Sequence, residues 1–381
     1  LELNLFGRRV FLAAGLAAIG VQPATADTLA ETCIIAIRTQ MAALGDGPLL
    51  LNSYLVETGP GAGDFDLTQA NAAYVYDNAL AGLALLAAGH RAEAARIGQA
   101  LAIAQAHDRF YHDGRLRNAY QAGPMAIPAK LPGFWDAHTN SWAEDPYQVG
   151  SETGPVAWAM LLWSALGMAA PANAAGDWLD DALRAPAGYY GGFYGFEPKP
   201  QKLTWQSTEQ NTDLFAAFTK LGRAEDAAHA KTFVAGMLQG GVFIAGLAPD
   251  GAPNPMLAAD AGIWPYLAGL GSAAPARTAI KRLTRGAGIG FSQASKSIWL
   301  EGTAFASLAG APAAFRATLA ANLSPQGYVY ATIAPALSTG LTVGPSLKPG
   351  VPPTAFNYYR RPALSTTAWA ALAGISVNPL A

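Results

Sequence analysis

Residues 71–107 read NAAYVYDNALAGLALLAAGHRAEAARIGQALAIAQAH. Ala, Leu and Ile recur at i, i+3 and i+4 on both sides of Gly89, with almost no β-branched alternation, so the stretch reads as two helices, 71–88 and 90–107. A glycine between them supplies the left-handed residue that ends the first helix. One residue of connection forces the second helix back along the first. The unit that decides the fold is therefore an antiparallel helical hairpin.

The same pattern recurs along the chain. Helices are expected at 27–44, 71–88, 90–107, 150–169, 174–185, 208–221, 223–239, 258–270, 275–285, 297–310, 311–322 and 365–375. Gly89, Gly222 and Gly310 to Pro312 mark short turns, and Pro171 and Pro275 open helices after two more. The remaining connections, 45–70, 108–149, 186–207, 240–257, 286–296 and 323–364, are long and rich in Gly, Pro and aromatic residues. Such loops in a compact domain are commonly functional. Short and long connections alternate, so the short turns gather at one end and the long loops at the other, and the first helix pairs with the twelfth. This predicts an all-α fold, an (α/α)6 toroid of six hairpins with its long loops on one face. An open solenoid needs a fixed period and short loops throughout, and no 34-residue signature recurs here.

Composition narrows the function. Apolar residues make up 51% of the 381 and charged residues only 13%, which suits closely packed helices and not a disordered chain. The net charge is −2, with no dense basic run, so nucleic acid is not an expected partner. Cys33 is the single cysteine, which rules out an intramolecular disulfide. The five histidines, 90, 107, 112, 138 and 229, have no ligand spacing. Neither a metal nor any other cofactor is expected.

Residues 1–26 read as an export signal. Arg8 and Arg9 precede an apolar run, Val10 to Val21, and Ala24-Thr25-Ala26 forms a cleavage pattern. The run falls short of the about 20 residues a membrane span needs, so no stable membrane insertion is expected once the signal is removed. RRVFL resembles a twin-arginine signal. Residues 27–381 are then a single domain in the periplasm or outside the cell.

Each helix after a long loop opens with acids, amides or aromatics: Tyr76 and Asp77; Glu152; Trp205, Glu209, Asn211 and Asp213; Asp260 and Trp264; Trp299 and Glu301; Tyr358, Arg360 and Arg361. Helices after short turns are mostly Ala, Leu, Arg and Lys, as an outer ring would be. Carboxyls gathered in an aromatic cleft are what glycosidic cleavage requires, one protonated to serve the leaving oxygen and one ionised to activate water. Glu209 is the candidate acid, with Asp77 or Glu301 the base. The candidate sugar-binding residues are Glu152, Asn211, Asp213, Tyr76, Trp142, Trp205, Trp264, Trp299, Tyr358 and Arg360. Glu209 and Asp213, at i and i+4, share a helix face. For most of these a structural role, as cap, pair or core, competes with the functional one.

The ordered set YDNAL (76–80), STEQNTD (207–213), WLEGTA (299–304) and TTAWAALAGISVNP (366–379) resembles bacterial six-hairpin glycosidase-like proteins, from about residue 70 to the end. The resemblance implies an (α/α)6 barrel and an enzyme that cuts polysaccharides or oligosaccharides, commonly with inversion, using Asp/Glu pairs. Gln210 stands where such sequences often have histidine. Two other readings share the fold. One is a polysaccharide lyase, for which His138, Tyr147, Arg360 and Arg361 are the candidates. The other is a noncatalytic glycan-binding protein of an exopolysaccharide system.

Overall fold

The computed structural model describes residues 28–57 and 63–381; the expected export signal, residues 1–26, lies outside them. The chain is mostly helical. Its helices are α1 Thr28–Ala43, α2 Asp64–Gln69, α3 Val75–Ala87, α4 Arg91–Ala106, α5 Thr153–Leu166, α6 Ala169–Leu183, α7 Thr208–Leu221, α8 Ala224–Gly236, α9 Ala259–Leu267, α10 Ala273–Leu283, α11 Leu300–Leu308, α12 Ala314–Ala320 and α13 Leu364–Gly374. Twelve match the expected segments to within a few residues. The thirteenth, α2, is a single short turn of helix inside the first long loop.

Helices α3, α5, α7, α9, α11 and α13 pack against one another in that order, and α13 packs against α3. The packing order thus closes on itself. Outside them α4, α6, α8, α10 and α12 each lie against the helix that precedes them, and α1 lies against α13. Burial follows the same division. Ten of the residues of α13, Leu364 to Ala373, are buried in succession, whereas α10 buries only Ala276, Ala279, Ile280 and Leu283. A helix buried all round must be apolar all round, while an outer one needs a single stripe. Small residues let the inner helices approach closely: a Cβ on Gly82 would stand 2.8 Å from the Leu162 methyls across the α3–α5 contact.

The long loops are not the irregular segments that the sequence suggests. They carry short antiparallel ribbons, such as Ser151–Glu152 paired with Gly192–Tyr194, and Gln206–Ser207 paired with Gly246–Leu247. Apart from Ala336–Thr342 and Ala355–Tyr359, these strands are two or three residues long, too short for any alternation to register in sequence.

The ribbons solve one problem six times. The first N–H groups of a helix have no partner inside it. Here the first residue of every inner helix donates to a carbonyl in the loop of the next hairpin. Val75 reaches Asn118 O (2.9 Å), Thr153 reaches Gly191 O (3.1 Å), Thr208 reaches Ala245 O (2.9 Å), Ala259 reaches Phe291 O (2.8 Å) and Leu300 reaches Ala331 O (2.9 Å). Leu364, on the last inner helix, reaches back to Ser53 O in the first loop (2.8 Å). All six residues before these are extended, and of their side chains only that of Ser207 caps its helix.

A second set of bonds, from side chains at the fourth helical position, ties α3, α7, α11 and α13 to their own incoming loops. Asn78 accepts from Leu51 N and donates to Leu51 O and Tyr74 O. Asn211 does the same with Tyr189 N, Tyr189 O and Ser207 O. Thr303 and Thr367, at the equivalent turn of α11 and α13, accept from Ile289 N and Val329 N. A buried backbone N–H deprived of its acceptor costs about 1–3 kcal/mol, and the lost donors add to that. Asn78→Ala and Asn211→Ala should each destabilise the protein by about 3 kcal/mol in chemical denaturation, whereas Asn173→Ala, on an exposed outer face, should leave the midpoint in place.

Candidate active site

The inner helices all start at the long-loop end, so their first turns face one another there. Counting from the first helical residue, the second position holds Tyr76 on α3, Gly154 on α5, Glu209 on α7, Asp260 on α9, Glu301 on α11 and Ser365 on α13. Asp77 follows Tyr76 by one residue and Glu152 is the residue just before α5, so both join the same level. Asp213 lies one turn deeper on α7. Gln210 fills the space that a side chain at Gly154 would take, its Cγ being 3.0 Å from such a Cβ.

Six carboxyls therefore converge, and the charges that act on them are one another's. Asp77, Glu152, Asp260 and Glu301 are each 7% exposed or less, Asp213 is fully buried, and Glu209 alone is partly exposed. Burial raises every one of them. Asp77 and Glu152 are pushed up to about 8, Glu301 to about 7 and Asp260 to about 6. Glu209 and Asp213 rise well above the carboxylate range. For Glu209 the charges of Asp260, Asp213, Glu152 and Glu301 add to burial; for Asp213 the charge of Asp260 does, against a lowering contact from the Trp158 indole. Neither oxygen of Asp213 completes a hydrogen bond, which fits a neutral carboxyl.

The partners divide these acids into kinds. Glu301 accepts from Tyr76 Oη at 2.6 Å and from Ser365 Oγ at 2.8 Å. Tyr76 is itself held by the Trp369 indole N–H at 2.8 Å. Both donors favour the ionised form and pull Glu301 back from the rise that burial imposes. Ser53 and Ser365 do the same for Asp77. Glu152 has only the Gln210 amide, at 3.4 Å. Among the described residues no group donates to the Glu209 carboxyl.

Phenols surround the acids. The hydroxyls of Tyr54, Tyr76, Tyr147 and Tyr358 are raised by burial first and then by the acids nearby: Asp77 and Glu301 act on Tyr54, Glu301 on Tyr76, Glu152 and Glu209 on Tyr147, and Glu301, Asp260 and Glu209 on Tyr358. All four are partly exposed, as a lining would be. Beneath them Trp158, Trp264, Trp369 and Phe305 fill the middle of the ring, packed edge to face at 5.4 to 5.7 Å except for the tilted Trp264–Trp369 pair at 5.9 Å. Two cavities of about 320 and 400 Å³ lie at the opposite end, one bordered by Tyr266, Ser307 and Arg316, the other by Leu86, Lys220 and Leu372; the acids border neither.

Sequence reasoning placed Asp77, Glu152, Glu209, Asp213, Glu301, Tyr76 and Tyr358 at this level, and the structure brings them together. Four candidates need correction. Asn211 is wholly buried and its amide is occupied by backbone groups. Trp264 and Trp299 are each 2% exposed, one in the aromatic floor and the other against Phe291, Phe305 and Tyr358, so neither offers a free face. The Arg360 guanidinium lies over the Tyr330 ring and bonds Asn322 Oδ1 and the carbonyls of Thr332 and Ile333. Trp205 is partly exposed and covers Gly191, and Trp142 stands 48% exposed on the hairpin Phe134–Ala143. Sequence reasoning missed Tyr54, Ser53 and Ser365 as neighbours of the acids. It treated Tyr147 only as a lyase base and noted Asp260 without assigning it a role. Among the described residues no group of His, Cys, Asp and Glu is arranged to hold a metal ion.

No protein-family model and no curated protein matches the sequence. Solved structures match it in fold over nearly its whole length. A glycosidase variant in complex with glucose superposes with a TM-score of 0.57 at 14% identity, over 95% of this chain and 99% of that one. D-mannose isomerase gives 0.57 at 11%, over 93% and 98%. Cellobiose 2-epimerase from Spirochaeta thermophila gives 0.54 at 14%, over 93% and 98%. These neighbours belong to the six-hairpin glycosidase-like superfamily, and at such identities the likeness is one of fold.

The raised carboxyls set a pH dependence of stability. An unfolded chain releases carboxyl protons near pH 4, while the folded one keeps those of Asp260, Glu301, Asp77 and Glu152 up to about 6, 7, 8 and 8. The native state then binds more protons, so stability falls as pH rises across that window. Calorimetry should give a higher Tm at pH 5 than at pH 8. Asp213→Asn, which removes one retained proton, should narrow the difference.

Proposed function

We propose that this chain is a carbohydrate-active enzyme, a glycoside hydrolase on an (α/α)6 toroid, with Glu209 as general acid and Glu301 as general base. The closed order of the inner helices and the ring of bonds from each hairpin to the next support the toroid. The observation that carries the chemistry is the contrast between two glutamates at the same helical position. Glu301 is held by Tyr76 and Ser365 in a way that favours its ionised form; Glu209 receives no such support and keeps its proton. Pairs whose surroundings push their pKa values apart divide acid from base.

In this reading the proton of Glu209 passes to the glycosidic oxygen as its bond to the anomeric carbon breaks. Glu301 takes a proton from the water that adds to that carbon, and the sugar is released with inverted configuration, as the resemblance to six-hairpin glycosidases implies. Tyr76 and Ser365 are positioning residues: they orient the base through their hydrogen bonds. Asp77 shares Ser365 with Glu301 and serves as a second acceptor beside it. Tyr54, Tyr147 and Tyr358 offer hydroxyls and ring faces to the sugar. The fold neighbours, a glycosidase, an isomerase and an epimerase of sugars, support a carbohydrate substrate.

A lyase would need a cation to neutralise a uronate. Arg361 is paired with Asp66 and Glu57, Arg360 is held as described, and His138 sits on the exposed hairpin, so nothing favours that chemistry. We place the activity outside the cytoplasm on the strength of Arg8, Arg9 and the apolar run after them; fractionation of cells expressing the full chain tests this. No helix among the described residues is long and apolar enough to cross a membrane.

A panel of neutral poly- and oligosaccharides, read by new reducing ends, tests the reading. Glu209→Gln should abolish turnover while circular dichroism and Tm stay near wild type; retained turnover would overturn the assignment. A protein that binds members of the panel tightly and cleaves none would be the noncatalytic alternative. Activity should rise as Glu301 ionises around pH 7 and fall at higher pH as Glu209 loses its proton. Tyr76→Phe removes a hydrogen bond that lowers Glu301, so its acidic limb should move up by about one pH unit, a shift that a purely structural tyrosine would not produce.

A further inference from the structure

The last long loop contains a hairpin, Ala336–Thr342 against Ala355–Tyr359, joined by the twelve residues VGPSLKPGVPPT, 343–354. Its second strand leads into α13, which starts five residues after Tyr359. Ser292 Oγ donates to Thr339 O at 2.7 Å and Ser295 Oγ to Ser338 O at 2.8 Å, which fixes the first strand to the loop that leads into α11. At Gly340 the strand passes so close to Ala294 and Met256 that a Cβ would lie 3.0 and 3.3 Å from them. Met256 belongs to the loop leading into α9. Farther on, a Cβ on Gly344 would fall 2.3 Å from the Tyr194 ring, and Leu347 reaches within 3.5 Å of the Cβ position of Gly195. Those two residues lie in the loop that leads into α7.

In ring order α7 is three places from α13, on the opposite side. The hairpin therefore spans the long-loop end from one side to the other by way of the α11 and α9 loops. Tyr358, on its second strand, lies near enough to Glu301, Asp260 and Glu209 for their charges to add to the rise that burial imposes on its hydroxyl. Four prolines in the connecting segment restrict its backbone, and Phe356 and Tyr358 stack on Phe291 and Trp299, so both ends of the strap are fixed. On the side of α3 and α5 the acids are bordered by Tyr54, Tyr76 and Tyr147.

A polysaccharide cut in its middle must leave the catalytic acids in two directions. A site walled along one half can receive only the end of a chain or a short saccharide. We infer that the hairpin 336–359 is the specificity-determining wall of the site, and that the substrate is a saccharide terminus, cleaved by exo action to a product of uniform short length. The inference rests on the hydrolase reading and adds to it the form of the substrate.

The test uses the full chain on the polysaccharides of the panel that it cleaves, with products sized by chromatography and viscosity followed in parallel. The wild type should release one short product while viscosity falls slowly. Joining Thr342 to Ala355, which face each other across the ribbon, through an Asn-Gly turn should remove the wall. That variant should lose the single-size pattern, give mixed lengths and reduce viscosity faster per reducing end formed. Leu347→Asp loosens the contact at Gly195 from an exposed position and should broaden the products in the same direction, which keeps the test valid should the shortened loop misfold. Mixed products from the wild type, or an unchanged single product from both variants, would overturn the inference and leave the hydrolase reading standing. No cleavage by any of the three proteins would overturn both.

Discussion

Six backbone hydrogen bonds, each from the first turn of an inner helix to the loop of the following hairpin, hold the rest of the structure in register. They give partners to donors that a helix cannot satisfy internally, and they do so with main-chain atoms, leaving most side chains at the same level free, although Asp260 Oδ1 also accepts from Ala261 N. Only Ser207 caps its own helix. The second helical positions are thereby released to carry Tyr76, Glu209, Asp260, Glu301 and Ser365 toward a common centre. Each inner helix also points the positive end of its dipole there. That field favours anions, yet the carboxyls are raised, so removal from water outweighs it.

What was legible in the sequence followed from packing. An inner helix needs small or apolar residues all round, and runs such as AAYVYDNALAGLALLAAG make that plain. The turns at Gly89, Gly222 and Gly310 were legible because each residue has a positive φ, 87°, 74° and 85°, which glycine adopts without strain. Gly167 and Gly269 end α5 and α9 in the same way, and Ser376 holds that place after α13 with φ 56°.

The site was legible as a level and not as a list. Acids near the start of inner helices stood out, but which of them faces the centre depends on the first helical residue, fixed by ribbons two residues long. Asn211 and Glu209 are two apart, so they project on different sides of α7, one toward the incoming loop and one toward the middle. The tryptophans misled for a related reason. Trp264 and Trp299 lie next to long loops in sequence, yet Trp264 sits more than one turn into α9, below the lining, and Trp299, just before α11, is covered by Phe291, Phe305 and Tyr358. Tyr54 gave no signal at all, because it belongs to no helix and reaches the acids through its bridge to Ala363.

Five of the six contacts between neighbouring inner helices join helices that are consecutive among the inner helices of the chain. The sixth, between α13 and α3, is a seam held by non-covalent bonds: Leu364 to Ser53, Leu55 to Pro362, and the Trp369 indole to Tyr76. The two donors to Glu301 come from opposite lips of that seam, Tyr76 from the first hairpin and Ser365 from the last. A nascent or partly opened chain has the acid of α7 in place but leaves the carboxylate on α11 unaligned. Alignment of the Glu301 carboxyl is in this way coupled to closure of the circle.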